Sequence, residues 1–479
     1  GDEDLALFLA FGVQPTRGEG LPSEEGESGS PDEIYLNDGT GRFARHASSG
    51  AEGPKGGETF EGVLFDADRD GDIDILSVHD RRADTMFVND GSAHFQDVSA
   101  KALPDKGRRT TSLMGLDLAD FDQDGLLDIY ATERYEDSLY RGSDLREPFA
   151  NIFDDVLDGP DPTTQLTGWG VAMVDLDHDG DLDVFRTANF DLPAPNAPGN
   201  LGYNVVFEHT IASGSHRLTD ITAAVGETLS RTIDGRGLAV GDIDRDGDQD
   251  VLIGVDGSAG AFDEDTVIRT LLLINDGTEA QKHPSVRVRV RQPGRRNRFA
   301  VGALLEFRGL GLRNQRVVQA GQSYLSQHDD AFHVGLGDFT TLPGLVVTWP
   351  DQHATVWLGL TPGEHVLERP ADDAQNCCHD GACTASASTD ECLFAQASVS
   401  RLEEACAAAC DAWQPCCPGM TREWCVAACA FEPPARPVLE CLAQAGCDGL
   451  LACADGGRLL PGAFSVGGKV TTLCFMTGQ

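Results

Sequence analysis

Four segments of the chain repeat one short acidic pattern, DxDxDG followed by an acid three residues after the glycine, and few folds accommodate it. The first runs through Asp66, Asp68, Asp70, Gly71, Asp72 and Asp74, and the second through Asp120, Asp122, Asp124, Gly125, Leu126 and Asp128. The third comprises Asp175, Asp177, Asp179, Gly180, Asp181 and Asp183, and the fourth Asp242, Asp244, Asp246, Gly247, Asp248 and Asp250. Carboxylates at positions 1, 3 and 5 of a tight loop converge on one point, glycine at position 6 permits the sharp turn, and the acid at position 9 closes the shell. The backbone carbonyl of position 7 (Asp72, Leu126, Asp181 or Asp248) then faces the ion. A hard divalent cation needs six to eight oxygens at roughly 2.3–2.6 Å, which favours calcium over the smaller, octahedral magnesium. Four carboxylates so crowded repel one another without a cation, so the expected ion is structural.

An EF-hand shares this beginning but requires a bidentate Glu at position 12 and flanking helices. Position 12 is Ser77, Ala131, Arg186 and Ile253 in the four loops, and the flanks are apolar and β-branched, as strands are. A fifth copy is visible only as a stub, because Gly1-Asp2-Glu3-Asp4 matches Gly71-Asp72-Ile73-Asp74. The chain is expected to begin inside a repeat, with Asp2 and Asp4 as remnants of an incomplete fifth site. A second repeated element follows the loops: Asn37-Asp38-Gly39 and Asn89-Asp90-Gly91, each after an apolar strand, with a remnant at Asn275-Asp276-Gly277. Such a tripeptide signals a tight hairpin. Each repeat therefore holds strand, acidic hairpin, strand, strand, Asn-Asp-Gly hairpin and strand, which is one blade of a β-propeller.

The acidic loops resemble the FG-GAP/VCBS repeats of integrin-like propellers. Downstream, Val286 to Arg291, Arg296 to Ala303, Ala320 to Gln327, His333 to Gly337 and Val347-Thr348-Trp349-Pro350-Asp351 occur in an order that resembles the ASPIC/UnbV domain of cartilage-acidic-protein-like and bacterial secreted proteins. The usual WPDG turn reads Trp349-Pro350-Asp351-Gln352 here. The resemblance implies a mainly β chain in three parts. Residues 1–283 are an N-terminally incomplete calcium-binding propeller, of seven blades in the complete protein, and 284–370 a small β domain. Residues 371–479 form a cysteine-rich, disulfide-stapled and partly helical module outside the resemblance.

All 14 cysteines fall between Cys377 and Cys474, an even number with no CxxC pair, which points to disulfides and an oxidising compartment. Cys406 and Cys410, and Cys425 and Cys429, are each one helical turn apart, so a helical hairpin bridged Cys406–Cys429 and Cys410–Cys425 is expected. The formal charge of −42 excludes polyanions such as nucleic acid as partners, and no apolar run is long enough to span a bilayer. Arg287, Arg289 and Arg291 alternate with valines on one strand, an arginine face better suited to docking on the acidic propeller than to a polyanion.

No GxSxG, HExxH or Walker A sequence is present, and His328-Asp329-Asp330 with His333 is the one compact acid–imidazole cluster, read as structural. The leading expectation is a secreted or cell-surface protein with four complete Ca2+ sites and a partial fifth, binding a protein or glycan. Alternatives are a structural subunit of an extracellular assembly or homo-oligomer, and a secreted enzyme using the propeller channel. The long inserts Ala188 to Gly202 and Asp256 to Asp265 suit recognition.

Overall fold

The computed structural model describes residues 7–9, 31–53, 58–103, 111–164, 166–190, 202–212, 214–226, 234–255, 270–277, 283–309, 312–337, 339–370, 376–379 and 382–385. The expected helical hairpin of the cysteine-rich module and the N-terminal stub with Asp2 and Asp4 lie outside these residues. Nearly everything described is β-structure; the two helices among the described residues, α1 (Ser99–Ala102) and α2 (Phe153–Val156), are single turns.

The strands fall into antiparallel blades. The first holds β1 (Leu7–Leu9), β2 (Glu33–Asn37) and β3 (Phe43–Arg45), and the second β4 (Glu58–Phe65), β5 (Asp74–Arg82), β6 (Thr85–Asn89) and β7 (Phe95–Asp97). The third holds β8 (Thr111–Ala119), β9 (Asp128–Glu133), β10 (Ser138–Arg141) and β11 (Ala150–Asn151). In the fourth, β12 (Leu157–Asp158) runs parallel to the outer strand of β13 (Leu166–Val174), β14 (Asp183–Phe190), β15 (Val205–Ala212) and β16 (Ser215–Asp220). The fifth is β17 (Gly235–Gly241), β18 (Asp250–Val255) and β19 (Thr270–Leu273).

The first strands β4, β8, β13 and β17 lie side by side, as the inner strands of a propeller do. Equivalent hydrogen bonds tie blade to blade. Thr132 Oγ1 donates to the Trp169 carbonyl at 2.6 Å, and Thr187 Oγ1 to the Arg236 carbonyl at 2.5 Å. Glu61 accepts from Leu116 N at 2.7 Å, and Asp117 accepts from Met173 N at 2.7 Å. Buried acids thus accept from inner-strand amides of the next blade. Apolar layers fill the spaces between blades, for example Phe121, Tyr130, Phe153 and Phe207 between the third and fourth.

His79 on β5 is fully buried between the first two blades. Its ring nitrogens lie 3.0 Å from Thr59 Oγ1 and 3.1 Å from Thr85 Oγ1, while Thr59 Oγ1 also donates to Asp32 at 3.0 Å. Its backbone N donates to Asp84 at 3.0 Å. Burial pushes the imidazole pKa down to about 4, so folding holds the ring neutral. The stabilisation is complete above the unfolded value near 6.5 and is lost as pH falls through about 4, a swing of about 3 kcal/mol. Urea unfolding of wild type and His79→Gln between pH 7 and pH 4 measures it, and the two stabilities are expected to converge towards acid pH.

After the propeller come two packed sheets. One orders β23 (Phe332–Gly335), β20 (Ser285–Arg291) and β26 (Gly363–Glu368). The other contains β22 (Leu312–Val317), β21 (Leu304–Gly309), β24 (Leu342–Thr348), β25 (Ala354–Leu360), and then β27 (Asn376–His379) and β28 (Ala382–Ala385). Val286, Val288, Val290, Phe307, Val347 and Trp349 form the core between them. The alternation expected of β20 is observed: its valines are buried in this core while its arginines face the propeller side.

Candidate metal centres

Each acidic loop joins the first strand of a blade to the second and has the same backbone course. Position 6 is left-handed at Gly71 (φ 98), Gly125 (φ 87), Gly180 (φ 97) and Gly247 (φ 103). So is position 4, occupied by Arg69, Gln123, His178 and Arg245 with φ between 59 and 68. That second left-handed residue has no glycine to signal it and was not foreseen from sequence. Inside the loop, the position-3 carboxylate accepts from the position-5 amide at 3.2 Å (Asp68, Asp122, Asp177) or 3.3 Å (Asp244).

Oxygens of Asp66, Asp68 and Asp70 lie within 4.8 Å of one another, as do those of Asp175, Asp177 and Asp179 and those of Asp242, Asp244 and Asp246. In the second loop the cluster is Asp120, Asp122 and Asp128. The position-9 carboxylates have a further task. Asp74, Asp128, Asp183 and Asp250 each accept from the position-2 amide at 2.7 to 3.0 Å. Their other oxygen accepts from Asn89, Gly142, His209 or Asn275 N, bracing the loop to the rest of its blade.

One atom recurs as an orphan. The Oδ1 of the position-1 residue is buried without a hydrogen-bond partner in all four loops, at Asp66, Asp120, Asp175 and Asp242. A buried unpaired carboxylate oxygen is costly unless a cation meets it. Burial, with repulsion from Asp128, Asp124 and Asp122, pushes Asp120 up to about 8. Burial pushes Asp74, Asp128 and Asp179 to about 7, and Asp175 and Asp183 well above the carboxylate range. The donor set is all oxygen, strained by its own charge, and fits a hard cation.

The two-sheet domain sits on these loops. Gln352 Nε2 donates to the Gly71 carbonyl at 3.2 Å, and Asp120 N donates to the Gln315 carbonyl at 3.1 Å. Gly335 N donates to Asp175 Oδ2 at 2.7 Å, and Arg287 reaches Asp242 Oδ2 at 2.8 Å. Arg287 also pairs with Asp329; Arg289 pairs with Asp329, Asp330 and Glu364, and Arg291 with Asp330. The arginine face is therefore used within the chain, as its alternation suggested. His178, at position 4 of the third loop, packs at a tilt against His333, ring centroids 4.4 Å apart, and lies 3.5 Å from Asp248 of the fourth.

Contact is closest at Gly335, where an added Cβ would overlap the His178 carbonyl. Gly335→Ala is expected to push the domain off the third loop at a cost of about 1–3 kcal/mol, as overpacking does. Denaturant titration checks the stability, and equilibrium dialysis should find weaker metal binding at that loop.

The segment Gln322–Asp329 continues from the domain into the propeller axis and touches the first strands of four successive blades. Tyr324 packs on Phe60 at 6.0 Å, Ser323 N donates to the Leu116 carbonyl at 2.9 Å, and Val171 N donates to Ser323 Oγ at 2.9 Å. Val240 N donates to His328 Nδ1 at 3.3 Å. The acid–imidazole cluster singled out in the sequence is thus dispersed, His328 capping an inner-strand amide and the aspartates holding arginines. Among the described residues, no helix is long and apolar enough to cross a membrane.

Comparison with known proteins bears on both parts. Residues 66–131 match the family model of FG-GAP-like repeats, and residues 293–373 that of ASPIC and UnbV. No curated protein matches the chain. Among solved structures, an Agrocybe aegerita lectin recognising non-reducing terminal N-acetylglucosamine is 16% identical, with 57% of this chain and 81% of that chain covered at a TM-score of 0.26. A Trypanosoma rangeli sialidase in complex with sialic acid is 11% identical, covering 58% of this chain and 44% of that one, TM-score 0.32. The NanB sialidase of Streptococcus pneumoniae is 13% identical, covering 56% and 42%, TM-score 0.26. The loops and blades make the first part of the chain a β-propeller in which residues 66–131 match FG-GAP-like repeats, and it is followed by a two-sheet domain in which residues 293–373 match ASPIC and UnbV.

Proposed function

We propose that the chain is an extracellular binding protein whose propeller is rigidified by calcium at the four acidic loops, and which presents its other surfaces to a protein or glycan. The orphaned Oδ1 at position 1 of every loop carries this reading. Four independent loops leave the same atom unpaired, which one cation per loop would satisfy. The ligands would be the carboxylates at positions 1, 3, 5 and 9 with the position-7 carbonyl. Calcium supplies charge neutralisation and a fixed loop geometry, and the residues hold it without any step of chemistry.

Binding is favoured over catalysis because the axis is filled. Ser323, Tyr324 and His328 occupy the channel that a propeller enzyme would use for substrate. Secretion is supported by the cysteine-rich tail, which calls for an oxidising compartment.

Isothermal titration of the chelated, refolded chain with calcium tests the reading. Four equivalents binding with micromolar or tighter affinity, and magnesium failing to compete at tenfold excess, are expected. Fewer than two equivalents would remove the calcium assignment. Capture of a surface protein or glycan that is abolished by chelator tests the binding role.

A further inference from the structure

We propose that the end of the propeller axis opposite the acidic loops is a protein-docking site anchored by Leu325, and that it takes a polypeptide segment with an apolar centre and basic flanks. The proposal rests on the binding reading above and names the surface and the partner class.

The segment that fills the axis ends in a turn. Ser323 is 1% exposed, whereas Leu325, two residues on, is 79% exposed. Both are left-handed, Ser323 at φ 64 and Leu325 at φ 48. That conformation costs an ordinary residue on the order of 1–2 kcal/mol and persists only where its surroundings impose it. They do so here: Ser323 is bonded to β8 and β13, Ser326 Oγ donates to the Tyr324 carbonyl at 2.8 Å, and Gln322 N donates to the Ser326 carbonyl at 3.2 Å. The inner strands carry glycine where the turn passes, since a Cβ on Gly237 would meet Ser326 Oγ at 2.6 Å and one on Gly115 would lie 3.1 Å from Tyr324 N. The turn is strained and heavily braced, yet it leaves its leucine in water.

Partly exposed aromatic rings surround it. Tyr324 lies edge-on to Trp169 at 4.8 Å and to Phe60 at 6.0 Å, and the Arg236 guanidinium covers Trp169 at 4.0 Å. Trp, Tyr and Arg are the residues enriched at the centres of protein interfaces, and the cluster sits on the propeller axis, at the middle of this face.

The chemistry separates a protein from a sugar. A sugar platform needs an open ring face and polar groups with spare valences. Here one face of Trp169 is taken by Arg236, Trp169 Nε1 donates to Asn189 at 2.9 Å, and Arg236 pairs with Asp234 at 3.1 Å. A projecting leucine gains nothing from a hydroxylated ligand and much from an apolar pocket. The charge of the partner follows from the turns flanking the start of β13. Residues 133–136 and 158–161 carry Glu133, Glu136, Asp158 and Asp161 against Arg134, with Asp158 paired to Arg217, so complementary flanks are basic.

Selection of a random dodecapeptide phage library on the immobilised full chain in calcium tests this, with an oligosaccharide array run in parallel. Enriched peptides are expected to carry an apolar core with Lys or Arg on either side. Leu325→Ser is expected to weaken them about tenfold or more while Leu325→Met retains them. Leu325 lies in solvent, so the melting temperature and calcium stoichiometry of Leu325→Ser should equal those of wild type. No enrichment, peptides indifferent to Leu325→Ser, or sugar binding that depends on Trp169 would each overturn the proposal. The calcium titration run on the same samples separates the two readings: peptide capture without calcium binding sinks the calcium reading alone, and four calcium equivalents without peptide capture sink this one alone.

Discussion

Removing calcium with a chelator at neutral pH is expected to lower the stability of the chain by on the order of 10 kcal/mol. One site held at 100-fold excess of ligand over its dissociation constant contributes about 2.7 kcal/mol, and the four loops contribute independently unless they are coupled. The loops are not equally exposed to the loss. In the third, Asp175 and Asp183 are buried and their carboxyls lie well above the usual range, so the uncompensated charge is most costly there. In the fourth, Asp244 and Asp246 are exposed and water can take over part of the ion's role. Asp175→Asn should therefore cost more than Asp244→Asn. Calorimetry in calcium and in chelator measures the total, and a shift of the melting temperature below about 5 °C, when a domain this large moves by roughly 2–4 °C per kcal/mol, would rule the effect out. The loss should also free the two-sheet domain, because Asp175 accepts from Gly335 and Asp242 pairs with Arg287 only while those carboxylates keep their places.

The loops were legible in the sequence because the chemistry of an oxygen-bound cation fixes residue types at fixed spacing. Asp66, Asp68, Asp70 and Gly71 could be assigned roles before any coordinates, and the blade order followed from the strands on either side. Spacing could not show that Asp74 and its counterparts hold the amides of Asn89, Gly142, His209 and Asn275, since those partners lie up to 26 residues away in sequence. The left-handed residues at position 4 were invisible for a different reason: none of Arg69, Gln123, His178 and Arg245 is a glycine, asparagine or aspartate, the types that signal this conformation. The arginine face of β20 was recognised, but its partners Asp329, Asp330 and Glu364 come from distant strands and turns that topology alone brings near. Least legible was the axis segment. Gln322-Ser323-Tyr324-Leu325-Ser326 has the composition of an ordinary loop, and only the docked domain aims it down the propeller.

Arg186→Ala is expected to destabilise the propeller by about 3–5 kcal/mol at pH 7.5, the usual cost of leaving one partner of a buried ion pair uncompensated. Arg186 stands at position 12 of the third loop, where it served only to exclude an EF-hand. In the fold it points into the space between the third and fourth blades, wholly buried, with Nε 2.7 Å from Asp137 Oδ2, itself wholly buried. The attraction is Coulombic more than directional, since none of the guanidinium nitrogens makes a well-aligned hydrogen bond to a protein acceptor. Asp137 has other support: Tyr130 OH donates to it at 2.9 Å and Glu133 N at 3.2 Å. Burial nonetheless raises its carboxyl to about 6, even with Arg186 pulling the other way. Removing Arg186 leaves a carboxylate that folding must protonate, and its pKa rises further. The folded form then gains relative stability as pH falls from above 6 towards 4, so the cost of the substitution should shrink in acid. Urea unfolding at pH 7.5 and pH 5 reads both effects. Arg186→Met combined with Asp137→Leu removes both charges while keeping volume, and should recover most of the loss. A single-substitution cost below about 1 kcal/mol at pH 7.5, or a double variant no better than the single, would mean that packing against Gly168 rather than charge fixes this residue.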